Sequence, residues 1–255
     1  MMKKIKWLFR FGFYGITCLF FFSCGSSTPP NIKKWAGKEI NMSLLSSKNS
    51  YFHMLDSAQN KVGSMTFVTY YDGPLFVARD TSLFDDGSVY ETAEFVLDTA
   101  TMKTIGTKID LLIGESTKLN VNLNQVDNRL QGYYNVTRDT VFNEKKLDTI
   151  ILHDIFRSEI FMALNAVALK TEDTLALKVF VPTSMLVSDV IIYKIGEEKI
   201  EVPYFQNTID SDVLSVESDG GMPDNIVYIA KNKQRDIVRI VIPNQKLTLN
   251  LHNLQ

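Results

Sequence analysis

Paired carboxylates are the residues of this chain best suited to acid–base chemistry. They occur as Asp85 with Asp86, Glu197 with Glu198, and Asp210 with Asp212. Two carboxylates at one site can hydrolyse a glycosidic bond, with one serving as the acid and the other as nucleophile or base. Such oxygens can also bind Ca²⁺. Each pair lies beside Gly or Ser at a predicted turn, where solvated acids are common. The pairs leave open a hydrolase of an envelope glycan or polymer, and simple solvated turns.

Other catalytic signatures are missing from the sequence. The three histidines, His53, His153 and His252, are too far apart in the chain to form a helical metal pair. The only cysteines are Cys18 and Cys24, so the rest of the chain has no thiol nucleophile and no cysteine metal site. The chain contains no phosphate-binding loop, dinucleotide fingerprint, zinc-protease motif or serine-hydrolase elbow. We therefore expect no catalytic residue, metal or cofactor, and prefer a non-enzymatic role in binding or scaffolding.

Alternating apolar and polar residues predict the elements that position these side chains. The alternation is bounded by turn residues at 72–74, 85–87, 196 and 219–221, and indicates antiparallel strands joined by hairpins. The clearest alternating segments are Val62–Tyr71, Ser88–Leu97, Lys118–Val126, Thr174–Val181, Asp189–Ile195, Asp236–Ile242 and the terminal run at 246–253.

One segment has helical spacing. Between Thr149 and Lys170, apolar residues recur every three or four positions without Gly or Pro. Asp148 would cap its start, and Lys170 would suit the negative end of the helix dipole. The sequence therefore predicts a mainly β fold, an antiparallel β-roll or partly open barrel, with one long helix (about 149–170) packed on it.

A helix on a curved sheet can leave an apolar cleft. Such a cleft would bind a lipid or another apolar ligand, although amphipathic patterns more often form a solid core. The candidate lining residues are Ile151, Ile155, Phe161 and Leu164 on the helix, and Phe67 and Phe95 on strands.

The triplet Asp-Ser/Thr-aliphatic occurs five times in the chain. It resembles the O-glycosylation acceptor of Bacteroidota envelope proteins, but Asp-Thr also favours turns and helix starts. The candidate acceptors are Ser57, Thr99, Thr140 and Thr174, whereas Thr149 is expected to open the helix.

The N-terminus is typical of an exported protein. Residues 1–10 carry four basic side chains and no acid, the run from Phe11 to Phe22 is apolar, and Ser23-Cys24 follows. An apolar run of this length fits a signal peptide and is shorter than the roughly 20 residues that span a bilayer. It resembles the lipobox of Bacteroidota lipoproteins, which implies lipidation of Cys24. We expect a signal peptide at 1–23, the lipidated Cys and a flexible tether at 24–38, and a single β-rich domain at 39–255.

The charge balance bears on the partners of the protein. Without residues 1–23 the chain has 23 basic and 29 acidic side chains, a net charge of −6. This charge repels phosphate backbones, so we expect no nucleic-acid partner. The expected partners are a membrane, contacted through the lipid anchor, and a lipid, glycan or envelope protein. The tether lacks the acidic cluster that resembles a surface-export signal of Bacteroidota lipoproteins. This difference favours an outer-membrane protein that faces the periplasm.

The order of the elements in the body resembles the DUF3108-like families of exported bacterial proteins of unknown function. The resemblance rests on Leu97, Asp98 and Thr101, on Gly196, Glu198 and Ile200 after the helical segment, and on a closing strand with Arg239. It covers about residues 70–230 and implies a β-roll or partly open barrel in the cell envelope. It implies no established chemistry.

Overall fold

The fold is known from a computed structural model that describes residues 31–37, 39–127 and 129–255. Within these residues, sixteen strands form one sheet, and one short α-helix, α1, spans Ile160–Ala166. The first nine strands are β1 Asn31–Lys34, β2 Lys48–Leu55, β3 Lys61–Asp72, β4 Leu75–Phe84, β5 Val89–Asp98, β6 Lys103–Ile113, β7 Thr117–Val126, β8 Arg129–Arg138 and β9 Val141–Thr149. The others are β10 Ile155–Phe156, β11 Asp173–Val181, β12 Leu186–Val202, β13 Asn207–Ser218, β14 Asn225–Ala230, β15 Ile237–Ile242 and β16 Leu247–Leu254. Turns of 3₁₀ helix span Met42–Leu44, Arg157–Glu159, Pro203–Phe205 and Pro243–Gln245.

The sheet is a meander whose two halves are joined through the last strand. Strands β11 to β16 pair in chain order, β16 pairs with β2, and β2 to β9 then continue in chain order. All of these pairings are antiparallel, whereas β1 and β10 both run parallel to β11. Residues 31–34, within the segment expected to be a tether, therefore form part of the sheet edge.

The sheet curls around α1. One apolar cluster contains nearly the whole helix together with inward side chains from β2 to β5 and from β11 to β16. A second cluster joins β5 to β9 with Phe156 and Phe180, beside the opposite sheet edge. Across the same gap, the Tyr134 hydroxyl donates a hydrogen bond to the Thr183 carbonyl at 3.1 Å. Among the described strands, β9 and β11 form no backbone hydrogen-bond ladder. The barrel is therefore open between them, and side-chain contacts span the gap.

The prediction of a long helix at 149–170 is wrong. Thr149 is the last residue of β9, and Asp148 forms an ion pair with Arg129 instead of capping a helix. Ile155 and Phe156 form a short strand beside β11, and only Ile160–Ala166 is α-helical. The apolar spacing arises because this segment enters the barrel interior, where a residue is buried on whichever side it faces. Leu152, which the helix would have buried, is 78% exposed.

The antiparallel β architecture is confirmed, and six of the seven alternating segments coincide with β3, β5, β7, β11, β15 and β16 within one residue at each end. The predicted turn at Gly196 is wrong. β12 continues through it to Val202, and Gly196 lies at a bulge where the register with β13 shifts. Two acidic pairs expected at turns, at 197–198 and 210–212, consequently lie within paired strands.

Gly132 shows how closely the sheet packs. Its φ is +153°, and a Cβ atom there would lie 1.9 Å from the carbonyl oxygen of Asn122 on β7. Only glycine fits this position without displacing the neighbouring strand.

Candidate functional site

A cavity of about 480 Å³ lies inside the curled sheet beside the start of α1. Most of its wall consists of apolar side chains that the strand alternation directs inward. Three of these are methionines, whose flexible side chains adapt to irregular shapes. The main apolar lining residues are Met54, Met65, Phe84, Phe161, Met222, Ile240 and Leu249.

Two carboxylates interrupt this apolar wall. Asp80 on β4 and Glu91 on β5 occupy inward positions of their strands. Asp80 pairs across the sheet with Phe67 on one side and Ala93 on the other, so its direct neighbours are apolar. Ser82, two residues along β4, pairs with Glu91. The two acids are thus diagonal neighbours on the inner face of one hairpin.

Arg157 enters the cavity from the 3₁₀ turn before α1. Its Nη1 lies 2.9 Å from Glu91 Oε1, and its Nη2 lies 3.4 Å from Glu91 Oε2. The Glu91 side chain is 14% exposed and that of Arg157 is 37% exposed. This two-point contact neutralises Glu91 and fixes the guanidinium plane against the wall.

Asp80 has no comparable partner. Within the described part of the chain no donor makes a hydrogen bond to its carboxyl group, although Glu91 and Arg157 both act on it through space. Desolvation inside the barrel, reinforced by the negative charge of Glu91 and opposed by Arg157, raises the pKa of Asp80 to about 7. Its side chain keeps partial contact with solvent through the cavity. Near neutral pH this carboxyl can therefore gain or lose a proton inside the cavity.

Glu159 holds the turn that carries Arg157. It is 2% exposed and accepts hydrogen bonds from the Thr104 hydroxyl and the Phe156 backbone N–H. Burial raises the pKa of Glu159 to about 7 against the opposing effect of these two bonds. Ser158 also lies 3.4 Å from the Thr107 hydroxyl. The turn is thus tied to β6, so Arg157 is positioned before any ligand binds.

Of the six residues predicted for an apolar cleft, the structure places only Phe161 in the cavity wall. Its ring packs edge-on against Phe67, with the centroids 6.1 Å apart. The remaining residues lie in or against the two apolar clusters: Phe67, Phe95, Ile155 and Leu164 are fully buried, and Ile151 is partly buried.

The acidic pairs predicted from the sequence do not line this cavity. Asp85 is exposed and forms an ion pair with Lys61, and Asp86 accepts from the Ser88 N–H in the same turn. Glu198 and Asp210 are exposed on neighbouring strands. These contacts are typical of solvated turn and strand residues.

Glu197 and Asp212 do come together, across β12 and β13, but among cations. Lys194 lies 2.6 Å from Glu197 and 2.8 Å from Asp212, and Arg235 lies 3.3 Å from Asp212. Hydrogen bonds from Lys194 and Lys231 lower the pKa of Glu197 to about 2. A carboxyl held ionised in this way cannot serve as a general acid near neutral pH.

The predicted glycosylation acceptors differ in how the fold presents them. Ser57 and Thr140 are exposed in the β2–β3 and β8–β9 turns. Thr99 lies in a turn too, but its hydroxyl donates to the Pro74 carbonyl at 2.7 Å. Thr174 lies within β11 and is paired with both β1 and β12.

The histidines lie outside the cavity. His252, near the end of the chain, belongs to β16, and its ring stacks on that of His53 with the centroids 4.0 Å apart. Burial lowers the pKa of His153, whose ring packs edge-on against Phe156.

Cys24 and the predicted signal peptide fall outside the described residues. Within residues 31–37, 39–127 and 129–255, no helix has the length and hydropathy needed to cross a membrane.

Comparison with known proteins supports the fold. No protein-family model matches the chain, and no curated protein matches its sequence. A β-barrel-like protein of the domain of unknown function DUF1849 from Brucella abortus superposes with a TM-score of 0.52 at 9% identity. The match covers 83% of this chain and 98% of that one. The shared feature is the β-barrel-like architecture.

Two further structures align more loosely. One is a proposed lipoprotein from Parabacteroides distasonis, with a TM-score of 0.34 and 11% identity over 83% of this chain and 96% of that one. The other is a proposed exported protein with a YmcC-like fold from Bacteroides fragilis, with a TM-score of 0.33 and 8% identity over the same shares. These scores are too low to support an argument about this chain.

Proposed function

We propose that this protein is a non-enzymatic binding protein of the bacterial cell envelope, and that its internal cavity takes up an amphipathic small molecule. The cavity is the observation that carries the proposal. Its volume of about 480 Å³ lies within the roughly 300–1,000 Å³ typical of small-molecule sites. An apolar wall with a few fixed polar groups is also the usual composition of such sites.

Four of the polar lining side chains, including all three charged ones, lie together on one stretch of this wall. Asp80, Ser82 and Glu91 share the β4–β5 hairpin, and Arg157 faces them from the turn before α1. An amphiphile can place its head group on this stretch and its chain among the methionines. A glycan or an envelope protein remains the alternative partner, bound at the outer surface instead.

The envelope location rests on the sequence. A signal peptide at 1–23 and lipidation at Cys24 would anchor the protein in the outer membrane, facing the periplasm. Cys24→Ala should abolish incorporation of labelled palmitate, whereas Cys18→Ala should leave it intact. Continued labelling of Cys24→Ala would contradict the anchor without affecting the cavity proposal. The DUF3108-like resemblance agrees with an exported protein but does not specify a ligand.

The binding proposal can be tested on protein isolated from its native envelope. Native mass spectrometry of the full chain should show a bound small molecule. Ser82→Trp would fill the cavity from its wall, because Ser82 faces inward, and should abolish the extra mass. Leu83→Trp is the matched control, because Leu83 faces outward on the same strand and is 42% exposed. An equal extra mass in the wild type and in both variants would exclude the cavity as the binding site.

One observation favours a second function, hydrolysis of an envelope glycan or polymer. Asp80 has a raised pKa while the nearby Glu91 is held by a cation, and unequal carboxyls of this kind can act as acid and base. Binding is preferred because both oxygens of Glu91 face Arg157, which weakens Glu91 as a base or nucleophile. Release of reducing ends from envelope polysaccharide by the wild type, and its loss in Asp80→Asn, would favour the hydrolase.

A further inference from the structure

The charges of the cavity do not balance. Asp80, Glu91 and Arg157 are the charged side chains among its described lining residues. The guanidinium of Arg157 is engaged by both oxygens of Glu91. When all three groups are ionised, one negative charge is left over, and it belongs to Asp80.

We propose that the ligand is an amphiphile whose head group carries a protonated amine, with the ammonium bound by Asp80 and the alkyl chain packed among Met54, Met65 and Met222. This inference rests on the proposed function, since it names the chemical class of the molecule that the cavity takes up.

The surroundings of Asp80 explain why a cation would bind there. Its cross-strand neighbours Phe67 and Ala93 offer no donor, and Arg157 acts on it only through space. An ionised Asp80 therefore has no hydrogen-bonded partner until a ligand supplies one. A charge-assisted hydrogen bond to an ammonium is stronger than one between neutral groups. An anionic head group would meet Asp80 and Glu91 with like charge, while Arg157 is already paired.

The protonation of Asp80 adds a pH dependence. Its pKa of about 7 means that the carboxyl is largely neutral at pH 6 and largely ionised at pH 8. A primary amine such as that of lysine keeps its proton to about pH 10. Glu91 and Arg157 are the charged groups that act on Asp80, and they lie within hydrogen-bond distance of each other. The ionised fraction of Asp80 rises about tenfold over this interval. Because the alkyl chain also binds when the carboxyl is neutral, ammonium binding should strengthen roughly fivefold between pH 6 and pH 8.

Three ligands with the same number of carbon atoms separate the contribution of the head group to affinity from that of the alkyl tail. Decylammonium, decanol and decanoate are titrated below their micelle concentrations into the full chain, held in an uncharged amphipathic polymer and labelled with ¹³C at the methionine methyls. Met54, Met65 and Met222 line the cavity, whereas Met42 lies in the 3₁₀ turn Met42–Leu44, outside the lining residues, and serves as the internal reference.

We expect saturable shifts of the three cavity methyl signals, with decylammonium bound about tenfold more tightly than decanol and decanoate bound most weakly. Asp80→Asn should remove most of this tenfold preference and leave decanol unchanged. Shortening the chain to octylammonium should weaken binding about fourfold per methylene. Glu94→Gln is the matched control. Glu94 lies on β5 outside the cavity lining and forms an ion pair with Arg79, so this substitution removes the same charge without changing the cavity wall.

The outcomes distinguish the two proposals. If none of the three ligands shifts the cavity methyls, cavity binding itself fails. If all three bind alike and Asp80→Asn changes nothing, the amine head group is wrong while cavity binding stands. Tighter binding of decanoate than of decylammonium would also overturn the amine proposal, because it would make Arg157 the anchor.

Discussion

Replacing Glu159 with glutamine should change how the stability of the protein depends on pH. Glu159 is buried under the turn that carries Arg157, and its pKa is raised from 4.5 to about 7. Between these values the folded chain binds more protons than the unfolded chain. The contribution of Glu159 is therefore fully present below about pH 4.5, and it is lost as the pH rises through 7.

The magnitude follows from the size of this shift. About 2.5 pKa units at about 1.36 kcal/mol each amount to a loss of about 3 kcal/mol from the free energy of unfolding between pH 4.5 and pH 8. Glutamine cannot ionise, yet it can accept from the Phe156 N–H and donate to the Thr104 hydroxyl. Glu159→Gln should thus exceed the wild type by less than about 1 kcal/mol at pH 5 and by about 3 kcal/mol at pH 8.

Urea unfolding at pH 5, 6, 7 and 8 measures this difference directly. Comparing the variant with the wild type at each pH cancels the contributions of other groups, including Asp80. Glu144→Gln is the control, because Glu144 is exposed on β9. Parallel stability curves for the wild type and Glu159→Gln would refute the reasoning, because they would show that Glu159 is ionised at no cost.

Three further changes test other parts of the fold. Gly132→Ala should destabilise the protein by at least about 3 kcal/mol in urea unfolding, because the new Cβ would overlap the Asn122 carbonyl. Lys246→Gly should stabilise it by roughly 0.5–1 kcal/mol, because Lys246 has a φ of +53°, a conformation that glycine adopts more readily. In a glycosylating host, Ser57→Ala and Thr140→Ala should each reduce the glycan mass, since both side chains are exposed in turns.

Each of these has a matched control. Gly114→Ala removes a turn glycine with open space around it, so a loss as large as that of Gly132→Ala would contradict the close-packing argument. Lys233→Gly is the control for Lys246→Gly, because Lys233 does not have a positive φ. Equal changes in the free energy of unfolding in the two variants would exclude backbone strain as the cause. Thr174→Ala changes a hydroxyl within β11, and a glycan lost only in that variant would refute the argument from exposure.

Much of the sheet could be predicted because a half-buried strand has a simple period. β3, β5 and β7 each have one buried face and one more exposed face, so alternate residues differ in polarity. The segment at 149–170 has no such constraint, because residues 155–167 lie in the barrel interior, where a side chain is buried on whichever side it faces. Pairing of Ile155 and Phe156 with β11, more than twenty residues later, determined its structure.

The site was harder to predict because its members are distant in the chain. Glu91 and Arg157 are 66 residues apart, and their contact depends on the curl of the sheet. One local signal was present. Within the predicted strand at 88–97, Glu91 shares a face with Val89, Ala93 and Phe95, and an acid on an apolar face indicates a buried charge with a specific role. Asp80 shares the inward face of β4 with Ala78 and Phe84, but the sequence predicted no strand there.

Filling the cavity tests the central claim most directly. The methionine methyl spectrum of the full chain is recorded with increasing decylammonium for the wild type, Ser82→Trp and Leu83→Trp. We predict saturable shifts at Met54, Met65 and Met222 in the wild type and in Leu83→Trp, and none in Ser82→Trp. Identical shifts in all three proteins, or shifts in none of them, would contradict a ligand-binding cavity inside the curled sheet.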